Sequence, residues 1–222
     1  MIEDILNYLV VLLGSAEAQD WMTFEEFALS SPQTFKIISK AISEIEEFNG
    51  MTLLHACVRY DPPASLLQQM IEHYPQALMK VDCLGRTPLH VASGCGASLP
   101  VLELLTMGYP EACSVQDEEG KTPLHFACDA SCELFEEDEC MPPTPPSIET
   151  ICVLLQGSPD AVALEDLDEM NALEYAILSD APFEVVKLLQ DVTQRVIRKK
   201  SAKANSSKQL CLPNAMSIVM AQ

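Results

Sequence analysis

Four histidines and nine cysteines are the side chains through which this sequence could do chemistry. His55, His90 and His125 follow one another at intervals of 35 residues. A histidine acting as a general base needs a nucleophile within reach and a group that orients its ring. Each of these three instead has a threonine three residues earlier, so one residue type repeats one structural task. His73 stands outside the series, and no Ser or Cys is arranged around it as a nucleophile. A metal site is the sharper alternative. His125, Cys128, Cys132 and Cys140 put four zinc-competent side chains within 16 residues,. Against it, the spacing lacks the paired Cys-x-x-Cys of common zinc modules, Cys128 falls at a core position of its helix, and His125 belongs to the series. No glycine-rich phosphate loop, metalloprotease helix or nucleophile elbow occurs. These residues predict a non-catalytic chain with no cofactor and no metal.

The elements that position the histidines are themselves repeated. Gly50-Met-Thr-Leu-Leu-His-Ala-Cys returns as Gly85-Arg-Thr-Pro-Leu-His-Val-Ala and as Gly120-Lys-Thr-Pro-Leu-His-Phe-Ala, with a weaker copy at Glu169-Met-Asn-Ala-Leu-Glu-Tyr-Ala. Tyr74-Pro75, Tyr109-Pro110 and Ser158-Pro159 keep the same register, as do Asp82, Asp117 and Asp166 three residues before the Gly position. Thr52, Thr87 and Thr122 can each cap a helix. Pro88 and Pro123 then take the first helical position, where a missing N–H costs nothing. His90 sits where its ring can reach back to Thr87, as Glu does in a capping box. In the fourth copy Asn171 and Glu174 still form a capping pair, but Glu169 replaces the glycine, which predicts a less regular finger there. A second helix in each unit carries apolar residues at helical spacing, for example Val101, Leu102, Leu104 and Leu105. Pro and Ala after it lead into an extended stretch that closes at Asp-x-x-Gly, where Gly85 and Gly120 tolerate positive φ.

Over residues 50–190 this pattern resembles ankyrin repeats, whose usual period is about 33 residues. The resemblance implies an all-α solenoid of about four helix-turn-helix repeats with hairpin-like fingers, opened by a degenerate N-terminal helical cap. It also implies a concave groove, lined by fingers and first helices, as the site that binds another protein. By register the candidate contacts on the fingers are Asn49, Met51, Cys83, Leu84, Arg86, Glu118, Glu119, Lys121, Leu167, Asp168 and Met170. On the first helices they are Arg59, Tyr60, Gly94, Cys95, Asp129, Ala130, Leu178 and Ser179. Tyr60, Arg59 and Arg86 are the expected anchors, because aromatics and arginine dominate binding hot spots. Leu84, Leu167 and Met170 add an apolar contact.

The chain divides into a cap over 1–49, repeats over 50–194 with an acidic, proline-rich insertion at 130–147, and a basic tail over 195–222. In the cap, Thr23 is expected to start one helix and Ser31-Pro32 another, with Ile37, Ile38, Ala41, Ile42 and Ile45 inside. Residues 5–14 are apolar but lack a basic leader, so they read as an amphipathic helix covering one end rather than a signal peptide. All 33 acids lie before residue 195, beside seven bases, a net charge of −26; the tail carries six bases and no acid. So acidic a body repels phosphate and anionic lipid. The expected partner is a protein, with a basic surface favoured, and not nucleic acid or membrane. The tail is expected to be flexible, with Leu210–Ala221 folding back on the last repeat. An odd number of cysteines at small or apolar positions fits a reducing compartment, cytoplasmic or nuclear. The function expected is that of a monomeric adaptor or scaffold. The alternative is a regulatory or inhibitory subunit of an enzyme, and a zinc-binding protein ranks behind both.

Overall fold

The structure, a computed structural model, describes residues 2–29, 37–38, 42, 49–130, 134 and 145–210. Five helix pairs are seen among them. Helices α1 (Ile2–Glu17) and α2 (Trp21–Ala28) open the chain. Then come α3 (Leu53–Val58) with α4 (Ala64–His73), and α5 (Pro88–Gly94) with α6 (Leu99–Gly108). The last pairs are α7 (Pro123–Cys128) with α8 (Ile148–Gly157), and α9 (Ala172–Leu178) with α10 (Phe183–Leu210). First helices α1, α3, α5, α7 and α9 pack in one row, and second helices α4, α6, α8 and α10 in another. The core lies between the rows, built from Leu54, Leu89 and Leu124 on the first helices and Leu67, Leu102 and Leu154 on the second. Among the described residues there is no strand. Residues 130–147 lie between α7 and α8, and most of them, including Cys132 and Cys140, lie outside the described residues.

The start of each first helix is held as its sequence predicts, and the histidine does more than cap. In all three units the Thr backbone N–H donates to His Nδ1, at 3.1 Å for Thr52–His55 and 3.0 Å for both Thr87–His90 and Thr122–His125. An Nδ1 that accepts from an amide leaves the proton on Nε2. That proton is donated to the main-chain carbonyl of the next unit: His55 to Arg86 at 3.0 Å, His90 to Lys121 at 3.2 Å, and His125 to Met170 at 3.2 Å. The ring therefore joins its own helix start to the following finger. Asn171 and Glu174 preserve the capping box in the last pair, but a carboxylate has no second donor to pass on.

Four features depart from expectation. The opening pair is α1–α2, and the N-cap of α2 is Asp20, which accepts from Thr23 N–H at 3.2 Å. Thr23 sits inside that helix, because Asp20 offers the first free acceptor after the left-handed turn at Gln19 (φ 54°),. The loops after α3, α5 and α9 use the same left-handed residue at Asp61, Gly96 and Asp180, so α1 and α2 obey the rule of the repeats without their signature. Ile38 and Ile42 are buried but Ile37 is exposed, since neighbours on a helix cannot share a face,; Ser31-Pro32, Ala41 and Ile45 lie outside the described residues. After α4, α6 and α8 the chain makes a turn of 3-10 helix (Pro75–Met79, Pro110–Ser114, Pro159–Ala163) before extending. Proline presets φ there, and Ala77, Ala112 and Ala161 are small enough to be buried beneath the turn,. Lastly, the basic region is helical as far as Leu210. No Gly or Pro interrupts 183–210, Val196 is still buried, and the basic residues lie toward the helix C-terminus, where the backbone dipole favours them,. Residues 211–222, expected to fold back, lie outside the described residues.

Two measurements follow from this packing. Burial, which penalises the imidazolium, lowers His55 and His90 to about 4 and also lowers His125. The unfolded chain titrates near 6.5, so between pH 6.5 and 4 it binds more protons than the folded one. Stability is complete above pH 6.5 and is lost as the pH falls toward 4. Urea unfolding at pH 5.5 should give about 1.4 kcal/mol less stability than at pH 7.5 for each of the two deeply buried rings. The variant His90→Asn should show a smaller difference. Among the described residues, Ser93 Oγ is the buried side-chain oxygen without a hydrogen-bond partner, at a position occupied by Val58 and Cys128 in the neighbouring units. Removing it in Ser93→Ala should raise stability by about 1 kcal/mol in the same assay.

Candidate docking face

Three of the fingers are each built by one carboxylate. Asp82 Oδ1 accepts from the N–H groups of Leu84 (3.0 Å) and Arg86 (2.9 Å). Asp117 does the same for Glu119 and Lys121, and Asp166 for Asp168 and Met170. Adjacent fingers are laced together by main-chain bonds from Cys83 N–H to Asn49, Glu118 N–H to Leu84, and Leu167 N–H to Glu119, at 2.7–2.9 Å. Gly85 and Gly120 have φ of 76° and 81°, and a Cβ there would come within 3.1 and 3.0 Å of the next finger's backbone. Glycine is thus required both by φ and by this close approach. The fourth finger, expected to be irregular at Glu169, keeps the same bonds, with Asp166 N–H to Met170 O at 2.9 Å. Glu169 itself adopts φ 60°: the Asp166 scaffold outweighs the cost of placing a side chain in that region.

The second oxygen of each finger aspartate is used differently. Asp82 Oδ2 pairs with Arg86 Nε at 2.7 Å, and both groups are buried. Asp166 Oδ2 accepts from the Tyr175 hydroxyl at 2.6 Å. Burial opposes ionisation of Asp166, but Tyr175 and the finger amides outweigh it and hold the carboxyl below its ordinary value. Burial, with the Asp166 bond, pushes Tyr175 up to about 12. Burial raises the Asp117 carboxyl above its ordinary value. Phe126 and Tyr175 occupy one repeat position and stand edge-to-face on the preceding His90 and His125, with centroids 5.6 and 5.7 Å apart.

The expected contact residues sort by exposure. Asn49, Cys83, Glu118, Glu119 and Asp168 are exposed, as are Leu84 (47%), Leu167 (76%) and Leu178 (72%). Met51, Arg59, Tyr60, Gly94, Cys95, Lys121, Asp129, Ala130, Met170 and Ser179 are half-buried. The Arg59 guanidinium lies 5.4 Å from the Tyr60 ring centroid. Lys121 pairs with Glu119 at 3.0 Å and lies over the Tyr175 ring. Ser179 Oγ accepts from Ala130 N–H at 2.9 Å, tying the start of the insertion to the last pair. Arg86 is 7% exposed, and its Nη1 donates to the Leu134 carbonyl at 3.1 Å. Against expectation it is not open to a partner in the intact chain: Asp82, the acid four residues earlier, holds the guanidinium inside the finger, and the Leu134 carbonyl occupies Nη1. Sequence reasoning missed Leu134, one leucine in an acidic stretch, whose role needs the fold to appear.

The histidines and cysteines are equally placed. His55, His90 and His125 each have both ring nitrogens bonded within the fold, which removes His125 from any ligand set. Burial pushes the Cys128 thiol up to about 12. Among the described residues no group of three metal-competent side chains converges.

Capped helix pairs stacked in two rows and laced through their fingers define a helical repeat solenoid. Residues 70–127 match the family model for ankyrin repeats. That segment of the chain is built of ankyrin repeats, and its hydrogen-bond set recurs beyond it, from Thr52 to Glu174. No curated protein matches it. Ankyrin repeats are in general protein–protein interaction modules. No helix among the described residues is long and apolar enough to cross a membrane.

The finger geometry yields a paired prediction. Glu169→Gly should stabilise the chain by about 0.5–1 kcal/mol, because glycine relieves the left-handed backbone at some cost in unfolded-state entropy. Gly120→Ala, 3.0 Å from Asp166 Cα, should destabilise it by more than that, and thermal unfolding of the two variants checks both signs.

Proposed function

We propose that this protein is a non-catalytic adaptor that binds a protein partner across the face made by its fingers and first helices. The observation that carries this reading is the set of exposed leucines: Leu84 and Leu167 on fingers and Leu178 on α9. The fold does not need apolar side chains there, and the three stand at finger and first-helix positions from which such a face would meet a partner. Arg59 beside Tyr60 adds an aromatic–cationic pair at the end of α3. Catalysis is disfavoured because the three repeat imidazoles are fully engaged in joining units. The acidic body favours a basic surface on the partner and speeds its approach at low salt. Thiols buried at Cys57, Cys113 and Cys128 suit a reducing compartment, cytoplasmic or nuclear,.

The test is affinity capture by the intact chain and by a Leu84→Asp, Leu167→Asp, Leu178→Asp triple variant, followed by titration calorimetry with the purified partner. All three sites are exposed, so circular dichroism and melting should be unchanged. Binding weakened at least tenfold is the expected outcome. Undiminished affinity in the triple variant would remove this face from the function.

A further inference from the structure

One part of the same face is already filled by the chain itself. Leu134, from the insertion between α7 and α8, is 8% exposed. Its side chain rests on Gly94, at the end of α5: a Cβ built on Gly94 would come within 2.5 Å of Leu134 Cδ1 and 3.2 Å of Phe126 Cδ1. Its main-chain carbonyl accepts from Arg86 Nη1 at 3.1 Å. Two units thus contribute to one slot: the second supplies the finger cation Arg86 and the bare helix end at Gly94, and the third supplies the Phe126 ring. The equivalent first-helix positions in the other signature units are Arg59, Asp129 and Leu178, so among these four Gly94 alone carries no side chain. Asp82 holds the guanidinium in place at 2.7 Å, so the donor is aimed with little ordering cost on binding.

We propose that the slot walled by Arg86, Gly94 and Phe126 is a peptide-binding subsite for a leucine-centred segment of a partner, reading the leucine side chain and its main-chain carbonyl together, and that Leu134 fills it in cis. The proposal rests on the reading of this face as the partner-binding surface. Shape carries the specificity: a branched apolar side chain fits over a glycine, and a larger residue at 94 would exclude it. A tethered occupant acts at an effective concentration in the millimolar range, so an external segment must compete with Leu134. Affinity for such a segment is therefore masked in the intact chain.

The test uses the full chain and a fluorescein-labelled peptide copying residues 131–139 (SCELFEEDE), read by fluorescence anisotropy under reducing conditions. Leu134→Ser should bind the peptide at least tenfold more tightly than the intact chain. Adding Gly94→Ala should abolish that binding, because the new methyl occupies the slot. A peptide with serine in place of its leucine should not bind. Equal affinity for intact and Leu134→Ser chains, or binding that survives Gly94→Ala, would overturn the proposal. Should Leu134→Ser fold poorly by circular dichroism, Gly94→Ala alone decides the matter. It displaces the flexible end of Leu134 rather than backbone, so Glu-specific proteolysis of the insertion should quicken, and an unchanged rate counts against the slot. If the peptide fails while the leucine triple variant still loses its partner, the slot falls and the docking face stands. If the peptide binds as expected while the triple variant keeps its partner, the slot is real and the wider face is not.

Discussion

A neutral imidazole that accepts on one nitrogen and donates from the other is the constraint on which this solenoid depends. The threonine amide demands a lone pair at Nδ1, and the next finger's carbonyl demands a proton at Nε2. Only the uncharged Nε2–H tautomer meets both, and burial enforces that state. The ring therefore caps its own helix and also fixes the distance from that helix to the following finger. Three such rings set three junctions in one geometry. The series stops at Glu174, where a carboxylate can complete the capping box but cannot donate onward.

With the junctions set, the fingers follow. Each aspartate gathers two amides, each finger accepts one main-chain bond from the next, and glycine permits backbones so close that an added Cβ would lie about 3 Å from the next finger. This design is local, which is why it survives a 14-residue excess in the third unit. The bond from His125 reaches Met170 across 45 residues of sequence, and the one from His90 reaches Lys121 across 31, yet both measure 3.2 Å. The excess enters between the two helices of one unit, where it disturbs neither finger nor junction. A repeat protein accepts such additions because each unit is stabilised chiefly by its neighbours.

Charge is distributed along the same axis. The acids cover the repeats, and the bases collect toward the C-terminal end of α10, the pole at which the peptide dipoles favour cations. Its sequence has good helix formers and no breaker, so α10 continues far past the length of the other second helices. Repulsion within the acidic body is tolerated because the core between the two rows is continuous, from Leu9 and Phe24 in the opening pair to Val185 and Leu189 in the last.

The sequence by itself determined the repeats, their register and the capping role of threonine and histidine, because the motif recurs at a fixed spacing and each cap spans only three residues. It also located the face that carries the candidate contacts, since position within a repeat dictates which side a residue occupies. What it could not determine lies in contacts between units and around degenerate ones. The opening pair α1–α2 follows the repeat without its motif, so its register was set by packing against α3 and by a left-handed Gln19. The regular fourth finger depended on Asp166 compensating for Glu169. Arg86 looks exposed in the linear repeat and is buried in the fold, because Asp82 and the Leu134 carbonyl meet it there. Leu134 was hidden for the same reason: it lies beside Phe135 in a stretch rich in acids, but its contacts are Gly94 and Arg86, 40 and 48 residues away, and only tertiary structure brings them together.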